Sequence, residues 1–485
     1  MSEARTVETN VPARIDRLPW SRWHTLVILA LGVTWVLDGV EVSIASNIAD
    51  ALTDPATGLG FSPGQVGAAT GVYIAGACTG ALFFSYLTDR FGRRRLFLVT
   101  LAVYLVFSVL TAFSWNFFSF VVFRFLAGMG IGGEYSAIYS AIDEMIPARV
   151  RGQLALFVSG TYWAGAIVAS LLTIVLLNPD VIDQFYGWRI AFALGAVLAL
   201  GVLLLRRYVP ESPRWLMTHG RAEEAERVVD EIEVEVRRAT GREELPPPEG
   251  SITIEQRGGI GFGLIARAMF QMYPVRTVLG LVLMASQAFL YNAIFFTAGL
   301  VLGSFFGVPS GSIPYYLIFF ALGNLLGPFL LGRLFDQAGR RPMIAGCYTV
   351  AGALMAVSGY LFYQDLIGAV AQTALWVALF FFASAAASAA YLTVSEVFPM
   401  EIRAMAIALF YAVGTALGGI TGPVIFGQLI GTGDRSALFL GYIAAAALMI
   451  VAALVELAIG VKAERRSLES VAAPLTAIRQ ETGTA

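Results

Sequence analysis

The chain has 485 residues, 57% of them hydrophobic and only 14% charged, with a net charge of −2. Soluble domains carry about 25% charged residues, so the deficit points to a bilayer protein and away from nucleic acid as a partner. Two cysteines, Cys78 and Cys347, both in apolar runs, and two histidines, His24 and His219, exclude a disulfide framework and a metal cluster of ordinary spacing.

The N-terminus is polar and mixed in charge, unlike a secretory signal, so the first apolar run is expected to remain as a spanning helix. A span needs about 20 mostly apolar residues. In the first half such runs begin near Leu26, Gln65, Leu96, Phe118, Gln153 and Ile190. In the second they begin near Thr277, Ile313, Met343, Ile367, Ile402 and Ala437. Between them lies the polar stretch Arg206 to Arg276. It predicts a surface helix from Ala222 to Arg238, with the i,i+4 pairs Glu223/Arg227 and Glu233/Arg237, and Pro246-Pro247-Pro248 beyond it. We read it as a solvated linker with a short amphipathic helix. The expected organisation is an N-terminal six-helix bundle (1–205), a linker (206–275), a C-terminal six-helix bundle (276–461) and a tail (462–485). The fold class is all-α integral membrane: about twelve transmembrane helices in two pseudo-symmetric bundles around a central cavity.

Arginines set the orientation. They precede the first span at Arg14, Arg17 and Arg22, and follow the second at Arg90, Arg93, Arg94 and Arg95. Others flank alternate loops at Arg149, Arg151, Arg333, Arg340, Arg341, Arg403, Arg465 and Arg466. Both termini are therefore expected in the cytoplasm. Lys462 is the sole lysine, which reads as a GC-rich genome.

Two loop motifs recur half a chain apart. Asp89-Arg-Phe-Gly-Arg-Arg94 returns as Asp336-Gln-Ala-Gly-Arg-Arg341, and Glu144-Met-Ile-Pro-Ala-Arg-Val-Arg-Gly152 returns as Glu396-Val-Phe-Pro-Met-Glu-Ile-Arg-Ala404. Such repeats are the trace of transporters whose halves rock about a central site. Positive-inside topology explains the arginines but not the repeated acids.

Ionisable groups at membrane depth are costly and usually functional. Asp38 and Glu41 share one face of the first span. Glu41 lies roughly 25 Å from the cytoplasmic end and Arg124 roughly 10 Å from the outer end of the fourth span, which runs the other way. The two depths are compatible with pairing. An arginine holds a carboxylate ionised, and its withdrawal lets the buried acid take a proton. The plainer alternative is a static ion pair that fixes helix packing. Glu134, deeper in the fourth span, is either a second protonation site or part of an inner gate. Glu456 in the last span reads as an interfacial, snorkelling residue.

These motifs, with Arg124-Phe-Leu-Ala-Gly-Met-Gly-Ile-Gly-Gly133, Pro210-Glu-Ser-Pro-Arg-Trp-Leu216 and Lys462-Ala-Glu-Arg-Arg-Ser-Leu-Glu469, resemble the major facilitator superfamily and its sugar-porter-like branch. The resemblance runs from Trp23 to Glu469. Asp-Gly-x-Glu at Asp38 to Glu41 looks more like aromatic-acid:proton symporters, and Glu134 in Gly-Gly-Glu-Tyr like metabolite:proton symporters. It implies proton coupling through Asp38, Glu41, Arg124 and Glu134. It also implies a cytoplasmic gate of Asp89, Arg93, Glu144 and Arg151 in one half and Asp336, Arg340, Glu396 and Arg403 in the other. One departure is Ser85, where the first loop's usual glycine is missing; the second half keeps Gly332. Glycines 128, 130, 132 and 133 lie in a membrane helix without a preceding strand, so they serve packing and not nucleotide binding.

The substrate signal is mixed. Where sugar porters have Gln-Gln-x-Ser-Gly-x-Asn, this chain has Ser286-Gln287-Ala-Phe-Leu-Tyr-Asn292, followed by Phe296-Thr297 in place of a tyrosine pair. Ser159 and Ala166 replace two expected glutamines, and Tyr391 replaces a tryptophan. Each lost hydrogen bond to a buried hydroxyl costs about 0.5–1.5 kcal/mol, which argues against a hexose. Aromatics are plentiful instead: Tyr73, Tyr135, Tyr139, Tyr162, Trp163, Phe289, Tyr291, Tyr391 and Tyr411. The substrate candidates are Ser159, Trp163, Gln287, Asn292 and Tyr391.

The expected function is secondary active transport, a proton-coupled uptake of a small organic or aromatic carboxylate. Alternatives are a sugar or polyol:proton symporter, a facilitative carrier or exporter, and a transporter-like nutrient sensor. No cofactor, metal or enzymatic activity is expected. The partners are the solute, protons and the lipid bilayer; the expected state is a monomer in a bacterial plasma (inner) membrane.

Overall fold

In the computed structural model the described residues are 6–475, except 49–51, 53, 62, 179, 206–210, 249, 256–261, 296, 309–311, 400–401 and 474. At some helical positions, among them Ser85, Asp89, Arg93, Glu134, Tyr135 and Tyr139, the side chains lie outside the described residues, as does Phe296 entirely.

Strand β1 (Thr6–Thr9) and helix α1 (Val11–Asp16) precede six long helices: α2 (Arg22–Asn47), α3 (Pro63–Phe91), α4 (Arg93–Ala112), α5 (Phe117–Met145), α6 (Arg151–Leu176) and α7 (Gln184–Leu205). The middle stretch holds α8 (Pro213–Thr218), α9 (Ala222–Thr240), β2 (Ile252–Glu255) and α10 (Phe262–Arg267). The second half has α11 (Pro274–Phe295) and α12 (Ala298–Phe306), then α13 (Ile313–Gln337), α14 (Arg340–Tyr363) and α15 (Ala369–Val397). Helix α16 (Arg403–Gly414) continues through a π-helical turn (Thr415–Ile420) into α17 (Thr421–Gly431), and α18 (Arg435–Ile459) and α19 (Leu468–Val471) follow.

Among the described residues, nine helices are long and apolar enough to cross a membrane, and α4 and α5 hold the shorter apolar stretches Leu98–Ala112 and Phe117–Gly133. Their outer faces leave large apolar side chains uncovered, such as Phe83 at 52%, Leu330 at 64% and Leu440 at 67% exposure. A water-soluble surface does not carry such faces; lipid covers them. The fold is an all-α membrane architecture of about twelve helices.

The two halves repeat each other in detail. The glycines of the two Asp-x-x-Gly-Arg-Arg loops, Gly92 and Gly339, precede α4 and α14 at φ 96°, ψ 155° and φ 102°, ψ 156°. That region is open essentially to glycine alone. Helix α3 packs on α5 as α13 packs on α15. At both contacts glycine pairs, Gly76/Gly80 and Gly323/Gly327, let the partner's backbone carbonyls approach where any Cβ would collide. The halves meet through α3 against α16 and α6 against α13, contacts that exchange under the same pseudo-two-fold operation.

The middle stretch holds the amphipathic helix expected there, α9, and the chain's N-terminal segment docks on it. Strand β1 pairs antiparallel with β2, Thr6 opposite Glu255 and Thr9 opposite Ile252. Val11 and Ile15 of α1 pack with Trp215, Leu216 and Met217 of α8 and Ala225 and Val229 of α9 in a buried apolar cluster. Arg14 bonds Glu226 at 2.6 Å, Asp230 at 2.6 Å and Glu233 at 2.9 Å, while Arg17 bonds Glu233 at 2.6 Å. The apolar stripe of α9 that sequence placed on a surface is the floor of this small module.

Candidate functional site

The first site is built from helices α2, α4 and α5. Glu41 is 1% exposed and Arg124 3%. Arg124 Nη1 lies 3.2 Å from Glu41 Oε1, and Ser108 of α4 donates its hydroxyl to the same oxygen at 2.5 Å. The guanidinium also stacks over the Tyr73 ring, 3.9 Å from its centroid, and faces Phe192 at 5.2 Å. One cation and one anion are thus held in a mostly aromatic enclosure. A buried pair of this kind is tolerated only while both members stay partnered. Asp38, 1% exposed, lies one helical turn before Glu41. Between the two acids, Gly39 meets the Tyr162 backbone carbonyl so closely that any side chain would overlap it. The glycine of Asp-Gly-x-Glu therefore fixes how near the acid-bearing turn sits to α6.

The second site lies between the halves. Trp163 of α6 is 8% exposed and stacks on Tyr291 of α11, ring centroids 6.0 Å apart and planes 30° from parallel. It also meets Phe295 edge-on at 5.5 Å. Ser159, one turn earlier, donates to the Ala155 carbonyl at 2.8 Å. Gln287 is buried; Asn292 Nδ2 donates to the Ala288 carbonyl at 2.6 Å; Tyr391 faces Tyr411 at 6.4 Å. Among the substrate candidates, Trp163 thus sits in an aromatic group with Tyr291, and Ser159 and Asn292 each donate a hydrogen bond to their own helix. Sequence reasoning missed Asn324, whose Oδ1 accepts the Tyr291 hydroxyl at 2.7 Å.

The third site closes the arginine-rich end. Here the two sequence-predicted sets interlock. Arg403 Nη1 lies 3.6 Å from Glu144 Oε1, both 1% exposed, across the halves. Arg340 bonds Asp336 at 2.7 Å and Glu396 through Nε and Nη2 at 3.0 Å each. Asp336 reaches further. Helix α6 begins after Val150, which has no side chain able to cap it, and the Gln153 backbone N–H donates instead to Asp336 Oδ2 at 2.6 Å. A carboxylate of one half therefore caps a helix of the other, where the helix dipole favours negative charge. Gly152 allows the approach, since a Cβ there would strike the Arg340 guanidinium. Gly332 lies against the Gln153 carbonyl in the same interface. Glu134, Asp89 and Arg93 have side chains outside the described residues.

Three further members, Asp16, Arg214 and Glu469, were not anticipated. Arg151 contacts Asp16 of α1 at 3.3 Å and the Arg466 carbonyl at 3.4 Å. Arg214 binds Glu469 at 2.9 Å, approaches Asp16 at 3.6 Å and donates to the Glu144 carbonyl at 2.8 Å. Burial opposes the Arg214 cation, but Glu469, Asp16 and Glu144 outweigh it and hold its pKa above the ordinary value. Burial likewise pushes Glu469 up, but Arg214, a backbone hydrogen bond, Arg403 and Arg151 together outweigh it, so its carboxyl titrates below the usual range. Glu456 corrects an expectation: it does not snorkel but is 0% exposed, buried near the end of α18.

Residues 37–473 match the family described as sugar (and other) transporter. The niacin transporter NiaP of Acinetobacter baylyi is 28% identical over 465 residues, 95% of this chain and 99% of that protein. The 4-hydroxybenzoate transporter PcaK of the same organism is 25% identical, covering 93% of each. The fold matches the solved proton:xylose symporter XylE bound to 6-bromo-6-deoxy-D-glucose with a TM-score of 0.76, at 21% identity, over 92% of this chain and 98% of that one. The chain therefore belongs to the sugar (and other) transporter family of the major facilitator superfamily, and is a multi-pass membrane transporter rather than an enzyme.

Proposed function

We propose that this chain is a monomeric symporter that couples the proton gradient to uptake of a small organic carboxylate across the inner membrane, with both termini in the cytoplasm. The observation that carries the reading is the buried Glu41–Arg124 pair, supported by Ser108 and one turn from Asp38. A solute carboxylate arriving near Arg124 competes with Glu41 for the guanidinium. Glu41, losing its partner in a buried site, takes a proton from the outside. The neutral acid no longer ties α2 to α5, and the bias between outward- and inward-facing states changes. Reversal at the cytoplasmic face, where proton activity is lower, releases proton and solute together. The bundles 1–205 and 276–461 are the rocking bodies in this reading, and the Glu144/Arg403 and Asp336/Gln153 contacts hold the cytoplasmic side shut. Asp38 and Glu134 are assigned as auxiliary proton sites.

Relatives of similar length named for niacin and 4-hydroxybenzoate support an acid substrate. A sugar or polyol is the second reading, favoured by Gln287 and Asn292 on α11 and by the proton:xylose fold relative. The test is uptake into vesicles by the purified protein, with and without an inward proton gradient, across benzoates, nicotinate, short carboxylates, hexoses, pentoses and inositol. Gradient-driven accumulation of an acid is expected, with Glu41→Gln abolishing accumulation while leaving solute exchange. Gradient-independent equilibration of the acid in the unmodified chain removes proton coupling and leaves Glu41–Arg124 as a structural pair.

A further inference from the structure

Of the aromatic contacts between the halves, three are made by Trp163, with Tyr291, Phe295 and Phe320, and a fourth joins Phe157 to Phe329. Trp163 comes from α6 in the first half and Tyr291 from α11 in the second, so their stack at 6.0 Å is made or broken whenever the halves move apart. Each ring also meets a neighbour edge-on: Trp163 meets Tyr162 at 5.3 Å and Tyr291 meets Phe380 at 5.0 Å. Tyr291 is further fixed by its hydroxyl, which donates to Asn324 Oδ1 at 2.7 Å. Asn324 in turn donates through Nδ2 to the Phe320 carbonyl at 3.0 Å and is 0% exposed. The amide's acceptor and one donor are thus spent inside the protein. A hydroxyl-bearing solute would have to displace Tyr291 to reach them.

The Trp163 turn is also mechanically tied to the acid site. Its neighbour Tyr162 presses its backbone carbonyl onto Gly39, between Asp38 and Glu41. A movement of that part of α2 therefore moves the turn carrying the Trp163 ring.

We propose that Trp163 and Tyr291 form the selectivity element of the solute path: a slot with one face from each half, which admits a planar aromatic ring bearing a carboxylate in place of their own stacking contact. The proposal rests on the acid-symport reading above and names its substrate class. A flat ring meets both faces at van der Waals distance and gains offset stacking on each. A puckered saturated ring of the same size and charge cannot meet both at once. Opening the stack to admit the ring separates the halves locally, so the solute itself occupies the seam that alternating access must cross.

The test compares labelled benzoate with labelled cyclohexanecarboxylate, which match in charge and carbon count and differ in planarity. Initial proton-driven uptake of each is measured in vesicles holding the full chain. The readout is the ratio of the two rates, which a general loss of folded protein does not change. The unmodified chain is expected to favour benzoate. Tyr291→Phe keeps the ring and is expected to keep the preference, whereas Trp163→Leu and Tyr291→Leu are expected to lower the ratio about 2- to 12-fold, the range of one aromatic pair. Trp163→Phe, the milder variant should the leucine forms not fold, is expected to fall between. An unchanged ratio in Trp163→Phe and in the leucine variants overturns the slot while leaving acid symport intact. Transport of neither acid, with accumulation of a sugar or polyol instead, overturns the acid reading and the slot with it.

Discussion

Asp336 carries a charge that acts across the molecule, and replacing it with asparagine isolates that action. Asparagine keeps the shape and still offers an oxygen to the Gln153 N–H, now 2.6 Å from the carboxylate. What disappears is the excess of a charge-assisted over a neutral hydrogen bond, about 1 kcal/mol, and the favourable placement of an anion at the start of α6, about 0.3–1 kcal/mol. The Asp336–Arg340 salt bridge at 2.7 Å is also weakened, but both residues lie in one half and pair in either state, so that loss cancels to first order. The net loss of about 1.3–2 kcal/mol falls on the state closed at the arginine-rich end, and corresponds to roughly a 10- to 30-fold shift towards the open one. Spin labels at Phe91 and Gln337, one in each half and both exposed, report this as a second, longer distance population by pulsed dipolar spectroscopy, in a chain whose Cys78 and Cys347 are replaced. Asp336→Asn with an unchanged distance distribution would refute the reasoning: the cap would then be a passive contact that does not distinguish the two states.

Two further outcomes follow from the packing and from the clasp. Gly39→Ala places a methyl group on the Tyr162 carbonyl and is expected to destabilise by about 1–3 kcal/mol, whereas Gly71→Ala, with nothing within 4 Å, is expected to be neutral or stabilising; thermal unfolding in detergent compares them. Burial raises the Glu233 pKa, but the bonds from Arg14 and Arg17 outweigh it, so its folded value lies below the ordinary one. Its stabilisation of the α1–α9 contact is therefore complete above about pH 4.3 and disappears as pH falls through the lower, folded value. Hydrogen exchange over residues 11–17 should accelerate only in that acid window, and at neutral pH in Glu233→Gln.

The architecture was legible because its signals are local and repeated. Apolar runs of membrane length, arginines in alternate loops and two Asp-x-x-Gly-Arg-Arg motifs each declare themselves within a few residues. Glu41 and Arg124 were legible for a different reason: ionisable groups are so rare at that depth that few partners compete. The docked N-terminal module was not. Its bonds join Arg14 to Glu226, Asp230 and Glu233, more than two hundred residues away, and exposed arginines and glutamates are too common for sequence to pair them. The same holds for Asp16 beside Arg151 and Arg214. Glu456 misled because a carboxylate near a helix end usually reaches water, and only the packing around α18 shows that this one does not. Tyr291 and Asn324 lie on different helices, so no periodicity links them.

The ribbon of β1 and β2 sets an order of events on the ribosome. Its second strand is made roughly 240 residues after its first. At about 5–20 residues per second, the N-terminal strand waits on the order of 10–50 s for its mate. During that interval α2 to α7 are synthesised and can enter the bilayer, while Arg14 and Arg17 have no acidic helix to bind and remain free as basic flanking charge. Closure of the ribbon and of the arginine clasp then comes after the first bundle and before the second. The N-terminal segment is thus unpaired basic charge while the first bundle is made, and afterwards the fastener that ties that bundle to the middle stretch.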